Sequence, residues 1–297
     1  MAPHLGPALR HEQLHQPSWR SWRSCRHCGT ITSTVVPPAV LYIAASQLAQ
    51  VAGLNRFVRR SEAEEAFLQR NPRLAQQLDR QVSPRFRTRV EAAVHALPAQ
   101  ALAEVAETQQ LLPTASPAVV AAALQQDVVA PSVAKQSEAD SQHRVNLLTR
   151  ESPALATVAA ELLADTRMQR GEAREDGALD TAAATLGQPV RERNADLHSK
   201  LWFRHCGYDV VVRGKVDGIS AGRIIETKNR SRTLFGAIPE YEQVQLCAYM
   251  WLLEGDSCTH VENYDNEQIN TEYDFDEELW AICERQVSLH PSHFSRP

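Results

Sequence analysis

Two carboxylates and a lysine stand close together in one stretch of the chain. Asp217 follows a β-branched run, and Glu226 and Lys228 stand two residues apart in the next such run. Side chains alternate along a β-strand, so Glu226 and Lys228 are expected to share one face while Thr227 points to the other. If the two runs pair as a hairpin, Asp217 can reach that face as well. Two carboxylates beside a lysine suit Mg²⁺, which takes oxygen ligands and keeps several waters.

Such a group has the parts needed to hydrolyse a phosphate ester. A bound metal ion polarises the phosphate and lowers the pKa of a bound water. A lysine beside it can orient or deprotonate that water. Taken alone, Glu226 and Lys228 would better fit an exposed ion pair, which contributes little to stability. The surrounding elements decide between the two interpretations.

The elements that would position these residues are strands and helices in alternation. The predicted elements after residue 180 are a helix (181–203, interrupted near Gly187 and Pro189), two strands (209–219 and 223–228), a helix (241–253), a strand pair (259–264 and 270–275) and a closing helix (276–289). The turn between the first two strands is expected at Ala221-Gly222, and Pro239 stands where a helix would begin. This order predicts an α/β core over residues 181–297.

The preceding residues fall into two segments. Residues 39–180, rich in Ala, Gln, Val and Leu, predict a mainly helical region that packs on the core. Residues 1–38 are rich in arginine and contain one acidic residue, Glu12, which fits either an organelle transit peptide or a disordered tail. Cys25-Arg-His-Cys28 lies in this segment, and a zinc-binding interaction protein is one alternative interpretation.

Composition limits the classes of protein that fit. The chain has 297 residues, a formal net charge of −5 and 43% hydrophobic residues, enough for an ordinary core. It shows no apolar run of roughly 18 residues, so no membrane-spanning helix is expected. The net charge argues against attachment to nucleic acid by bulk charge and leaves room for a local basic groove. Six sparse cysteines favour a reducing, intracellular setting, with Cys206, Cys247 and Cys283 as small core residues.

Three short motifs carry a family resemblance. They are Gly214-Lys-Val-Asp217-Gly with Ile-Ile-Glu226-Thr-Lys228, then Gln245-Leu-Cys-Ala-Tyr249 on the predicted helix, and upstream Ile43-Ala-Ala-Ser46 leading to Gly53-Leu. In this order they resemble the D-x(n)-ExK signature, the QxxxY helix and the early "GS-x-I-A…G-L" helix of PD-(D/E)XK nucleases, in the RecB-like and lambda-exonuclease-like (YqaJ) branch. Together the three motifs are far more specific than a lone ExK.

The resemblance implies a fold and a metal site. The fold is an α/β restriction-endonuclease-like core, a central mixed β-sheet flanked by helices, with an added N-terminal helical region. Asp217, Glu226 and the Thr227 backbone carbonyl would bind Mg²⁺, with Mn²⁺ as a substitute, and Lys228 would position the attacking water.

A further acidic ligand comes from an upstream helix in such enzymes. Glu192, five residues after Gly187, is the candidate because the branch often places a glycine shortly before this glutamate. Asp196, one helical turn later, is the alternative.

Further residues are expected to support the site or to contact nucleic acid. Gln245 and Tyr249 lie one helical turn apart and would support the scissile strand or the lysine, or steady the core as a buried polar contact. Arg230 and Arg232 follow the catalytic strand and are predicted to contact phosphates, and Ser46 is a further predicted nucleic-acid contact.

The function that the resemblance implies is hydrolysis of DNA phosphodiester bonds. The branch favours an exonuclease that acts in recombination, repair or DNA turnover. The alternative is a nucleic-acid-binding or scaffold protein that keeps the fold without activity, and the complete Asp–Glu–Lys set counts against it. Nothing in the sequence specifies a homo-oligomer.

Overall fold

The computed structural model describes residues 39–78, 88–128, 137–194, 196–205, 207–265 and 267–289. These residues belong to one compact unit of the chain, Pro38–Pro297. The arginine-rich segment 1–38, with Cys25 and Cys28, lies outside the described residues. Cys206 also lies outside them, whereas Cys247 and Cys283 are buried in the core as expected.

Strands and helices alternate along the described chain. In order they are β1 (Ala39–Ala44), a 3₁₀ turn (Ala45–Gln47), α1 (Leu48–Val51), α2 (Arg60–Arg70), α3 (Pro72–Gln77), α4 (Arg89–His95), α5 (Ala99–Thr108), α6 (Pro117–Val128), α7 (Glu138–Glu151), a 3₁₀ turn (Pro153–Thr157), α8 (Ala159–Leu186), β2 (His198–His205), β3 (Tyr208–Gly214), β4 (Gly218–Ser220), β5 (Arg223–Asn229), α9 (Glu240–Leu253), β6 (Ser257–Tyr264), β7 (Glu267–Asp274) and α10 (Glu277–Leu289). The predicted α/β class is confirmed.

The strands form two mixed sheets. In the order β1-β3-β2, β1 runs parallel to β3 and β2 runs antiparallel to it. In the order β4-β5-β6-β7, β5 and β6 are parallel and the two outer pairs are antiparallel. The parallel pair β5 and β6 is joined by α9, which gives the helical crossover that parallel neighbours require.

Helices cover both faces of β5. Ile224 packs into the main core with Leu246 and Met250 of α9. Ile225, its neighbour on the strand, packs on the opposite face with Leu179 of α8. Complete burial of a side chain such as Ile225 contributes about 1.5–3 kcal/mol, so alternation along β5 holds α8 and α9 on opposite faces of the sheet.

The helix α8 connects a separate helical cluster to this sheet. It has 28 residues and is about 42 Å long. Near its start, Leu162 packs with Val94 and Leu124 in a core built by α4 to α8. Near its end, Leu179 packs on the sheet, and Gly187 in the left-handed conformation ends the helix at φ 66°.

The helix predicted over 181–203 is wrong. α8 ends at Leu186, and β2 occupies His198–His205. The glycine and proline after α8 do stop the helix, as glycine and proline generally do. The boundary predicted at residue 180 falls inside α8, and β1 from the predicted helical region pairs with β3.

None of the helices in the described ranges has the length and apolar character needed to cross a bilayer.

A tight hairpin carries the Asp217 segment across from Glu226. β4 and β5 pair from Gly218 with Ile225 to Ser220 with Arg223. The predicted turn at Ala221-Gly222 is confirmed, and both residues have positive φ, 50° and 81°. Two positive φ values match the right-handed twist of a two-residue hairpin turn.

Gly214 lies directly against α9. A Cβ on this glycine would stand 2.7 Å from the Tyr249 ring and 2.9 Å from Leu252. The last residue of β3 therefore approaches α9 more closely than any larger residue would allow.

We expect Gly214→Ala to destabilise the fold by about 1–3 kcal/mol, because the added methyl overpacks a filled core. Gly255→Ala is the matched control, since its Cβ would meet Ile224 at an ordinary 3.8 Å. Urea unfolding of both variants measures the difference. Equal stability of the two variants would contradict the close approach.

Candidate active site

Glu226 and Lys228 of β5 face α9, as the alternation along the strand predicted. Lys228 Nζ donates a hydrogen bond of 2.6 Å to Glu226 Oε1. The Glu226 side chain is 3% exposed and the Lys228 side chain 24% exposed. Because Glu226 is buried, this is not an exposed ion pair of the kind that contributes little to stability.

Gln245 of α9 ties this pair to the helix. Its Nε2 donates to Glu226 Oε1 at 2.9 Å and to the Tyr249 hydroxyl at 2.8 Å. Its Oε1 accepts from Lys228 Nζ at 3.3 Å. Gln245 and Tyr249 lie one helical turn apart, so both reach the same face. One amide therefore fixes the glutamate, the lysine and the tyrosine together.

Asp217 reaches β5 from the other direction. Its Oδ2 accepts from the Thr227 backbone N–H at 2.7 Å and from Thr227 Oγ1 at 2.9 Å. The N–H and C=O of a strand residue point to the same edge of the strand. The Thr227 carbonyl therefore lies on the same edge as Asp217, where β4 no longer pairs with β5.

A third carboxylate comes from α8. Asn194 Nδ2 donates to Glu175 Oε1, and the Asn194 backbone N–H donates to the Asp217 carbonyl at 3.1 Å. Burial raises the pKa of Glu175, and the charge of the neighbouring Asp217 side chain adds to this effect. The turn after α8 thus holds Glu175 next to Asp217. We call Glu175, Asp217, Glu226 and Lys228 the carboxylate–lysine cluster.

The structure places Glu192 differently from the expectation. It lies in an exposed turn at φ 51°, six residues after α8 ends, and not on a helix. Its side chain makes no hydrogen bond or ion pair with another described residue. The turn is fastened to β4 by hydrogen bonds between Arg191 and Ile219 at 2.7 and 2.8 Å. Asp196 is likewise exposed and outside a helix.

The cluster has three carboxylates and one lysine, and one of the carboxylates, Glu226, is buried. Burial, with a contribution from the Asp217 and Glu175 charges and against the effect of Lys228, raises the pKa of Glu226 to about 8. Burial and the Asp217 charge raise the pKa of Glu175 to about 7. Burial alone would lower the pKa of Lys228, but the Glu226 carboxylate outweighs it and raises that pKa.

The donor chemistry fits a hard divalent cation. The cluster offers carboxylate oxygens, and Glu226 Oε2 is buried without a hydrogen-bond partner. Buried carboxylates that repel one another are stabilised by a cation. Within the described ranges, no three His, Cys, Asp or Glu side chains are already arranged to hold a metal ion. In this conformation the positive charge beside Glu226 is the Lys228 ammonium.

Arg230 occupies a second buried charge system next to the cluster. Its Nη1 and Nη2 donate to the two Glu242 oxygens at 2.7 and 2.8 Å, and its Nε donates to Glu262 Oε1 at 2.5 Å. Glu262 Oε2 accepts from the backbone N–H groups of Phe235 and Gly236 at 3.2 and 3.0 Å. We call Arg230, Glu242 and Glu262 the arginine clamp. It fixes the loop between β5 and α9.

The charge of Arg230 is paired with carboxylates inside the protein. The Arg230 side chain is 10% exposed. Burial alone would raise the pKa of Glu242, but hydrogen bonds from Arg230 and His260 lower it to about 2. The predicted nucleic-acid contact of Arg230 stays a prediction, and its guanidinium is already paired with two carboxylates.

The other predicted nucleic-acid contacts lie on the surface. Arg232 is exposed in the loop after β5, and Ser46 is exposed in the 3₁₀ turn beside α9. Arg232 has no ion-pair partner among the described residues.

Sequence reasoning missed Glu175 and the partners of Arg230. A glycine before a helical glutamate was the cue used for Glu192, and Gly171 stands one helical turn before Glu175 in the same way. The cue was applied to Gly187, which ends α8, whereas Gly171 lies inside that helix.

Comparison with known proteins finds only weak structural similarity. No protein-family model matches the chain, and no curated protein matches it. Among solved structures it is similar to an alkaline exonuclease from Laribacter hongkongensis, with 19% identity, a TM-score of 0.34, and coverage of 55% of this chain and 82% of that chain. It is also similar to a phage-related exonuclease from Haemophilus somnus, with 17% identity, a TM-score of 0.33, and coverage of 42% and 69%. TM-scores this low do not establish a shared fold, so the function has to be inferred from the site.

We expect Arg230→Ala to destabilise the protein by about 3–5 kcal/mol, because it leaves two buried carboxylates without their cation. Arg232→Ala, in the same loop but exposed, should change stability by about 0.5 kcal/mol or less. Chemical unfolding monitored by circular dichroism measures both. A loss of under 1 kcal/mol for Arg230→Ala, on the order of an exposed pair, would contradict the clamp.

Proposed function

We propose that this protein is a metal-dependent nuclease of the PD-(D/E)XK type that hydrolyses DNA phosphodiester bonds. The observation that carries the proposal is the carboxylate–lysine cluster. Its carboxylates come from α8, the β4 hairpin and β5, and its lysine is held by Glu226 and Gln245. An arrangement with this excess of carboxylates and a lysine that is 24% exposed has a chemical use that a structural ion pair lacks.

Each residue of the cluster has a distinct role in the proposed reaction. Asp217, Glu226 and the Thr227 carbonyl would hold a Mg²⁺ ion, or Mn²⁺ in its place, and Glu175 takes the part first expected of Glu192. The ion supplies polarisation of the phosphate and a lowered pKa of bound water. Lys228 orients the attacking water.

The products follow from the bond that breaks. The water oxygen bonds to phosphorus, the bond from phosphorus to the 3′ oxygen breaks, and the leaving oxygen takes up a proton. The products are a 5′-phosphate and a 3′-hydroxyl. Gln245 holds Lys228 in position, and Tyr249 holds Gln245.

Action on DNA ends fits the resemblance of the motifs to the lambda-exonuclease-like branch. We propose an exonuclease that serves DNA recombination, repair or turnover. A nucleic-acid-binding protein without activity is the second candidate, and the completeness of the cluster favours the enzyme.

We expect linear duplex DNA, but not closed circular DNA, to be degraded by the full chain in the presence of Mg²⁺. Lys228→Ala and Asp217→Asn should each lower the rate about 100-fold or more, since one removes the group that orients water and the other a ligand charge. Release of acid-soluble nucleotides measures the rate. Asn at 217 can still accept from Thr227, so that variant should stay folded.

Two results would contradict this proposal. Binding of DNA without cleavage under Mg²⁺ or Mn²⁺ would favour the scaffold protein. Cleavage by Lys228→Ala at the native rate would show that the active site lies elsewhere.

The role of Glu175 is tested by a matched pair of variants. We expect Glu175→Gln to reduce both DNA hydrolysis and the rise in unfolding temperature that Mn²⁺ causes, because one ligand charge is lost. Glu192→Gln should retain both, because its side chain is exposed in a turn. Thermal unfolding with and without Mn²⁺ gives a readout independent of activity. The reverse pattern would restore the assignment to Glu192.

A further inference from the structure

An exposed aromatic ring lies beside the N-terminal end of α9. Phe57 is 70% exposed, and its ring meets the Tyr241 ring edge-on with centroids 5.9 Å apart. The Arg56 guanidinium lies 5.0 Å from the centre of the Phe57 ring. The Phe57 N–H donates to Asn55 Oδ1 at 3.0 Å, which fixes the turn that presents the ring. The ring is thus held in place with most of its surface open.

Through Tyr241, this ring is linked along α9 to Gln245, which holds the carboxylate–lysine cluster. Tyr241 and Gln245 are four residues apart on α9, so they share a face and lie about 6 Å apart along the axis. Gln245 contacts both Glu226 and Lys228. Burial and the Glu242 carboxylate raise the pKa of the Tyr241 phenol, while Arg230 and Lys228 act in the opposite direction. The Tyr241 hydroxyl is therefore near the Arg230 guanidinium and the Lys228 ammonium.

Positive charge at this place is not neutralised. Arg56 has no ion-pair partner among the described residues, in contrast to Arg59, which pairs with Glu62 at 2.7 Å. Arg232, on the loop that leads from Lys228 towards Tyr241, also has none. An open ring, a second ring at its edge and an unpaired guanidinium suit an aromatic group that is joined to a phosphate.

We propose that Phe57, Tyr241 and Arg56 form a stacking site for an unpaired nucleobase of the strand whose phosphodiester lies at the carboxylate–lysine cluster. This inference rests on the proposed nuclease function and adds a base-binding position to it. Stacking requires a free face of the base, so the site selects frayed or single-stranded ends over paired duplex. It does not select sequence, because every base offers such a face.

The size of the surface favours a nucleobase over a protein partner. A stable protein interface buries about 800 Å² on each partner, whereas this surface consists of one open ring, the edge of a second and one guanidinium. Those parts match a single base with its phosphate.

The test is binding of a short oligothymidine that carries one 2-aminopurine, placed at successive positions from each end. Stacking on an aromatic ring quenches the fluorescence of this base. The full chain is used with Ca²⁺ in place of Mg²⁺, so that binding is measured without hydrolysis. At one position we expect quenching by the native protein and by Phe57→Trp, and its loss in Phe57→Ala.

The affinity should follow the same pattern. Phe57→Ala should bind the oligonucleotide about fivefold or more weakly, as expected for one lost stacking contact. Leu112→Ala, which removes an apolar side chain 74% exposed in the helical cluster, should bind as the native protein does. An abasic site at the quenched position should weaken binding by the native protein but not by Phe57→Ala.

Other results overturn the inference. Equal affinity and equal quenching for Phe57→Ala would remove the stacking site, as would a change of oligomeric state in this variant without a change in binding. Binding that depends on Phe57 in a protein that does not hydrolyse DNA would refute the nuclease proposal and leave the base-binding site. Absence of binding by the native protein would refute both.

Discussion

A carboxylate buried beside an ammonium group is the interaction on which the structure around the site depends. Moving a charge such as that of Glu226 out of water costs several kcal/mol, and only 3% of its side chain remains exposed. Lys228 and Gln245 offset this cost at one oxygen. For both to reach it, β5 must face α9, and α9 must present a polar residue at the right turn within an otherwise apolar surface.

The same layer between sheet and helix holds the arginine clamp. Lys228 aligns with Glu262, and Glu226 with His260, across the parallel pair of β5 and β6. Charged side chains from both strands therefore point at α9 together. The loop from β5 to α9 is fastened by the clamp immediately after the lysine, so the backbone near Lys228 has little freedom. Rigid support of this kind keeps a site preorganised, which a catalytic arrangement requires.

Short-range patterns were sufficient to predict part of this arrangement. The hairpin turn at Ala221-Gly222 and the common face of Gln245 and Tyr249 follow from local periodicity. The approach of Glu175 to Asp217 depends instead on how α8 packs across the sheet, and no local pattern contains that information. The pairing of Arg230 with Glu262 required the register of β5 against β6, which a helix separates in the chain.

The position of the two glycines in α8 has a mechanical consequence. One end of this helix is embedded in the helical cluster and the other packs on the sheet. Gly171 and Gly177 flank Glu175, and the Gly171 carbonyl accepts a hydrogen bond of 2.9 Å from Asn229 of β5. Glycine weakens a helix interior, so bending strain concentrates at this point. Because β5 holds the helix at Gly171, we expect a tilt of the helical cluster to bend α8 before Glu175, which keeps its place beside Asp217.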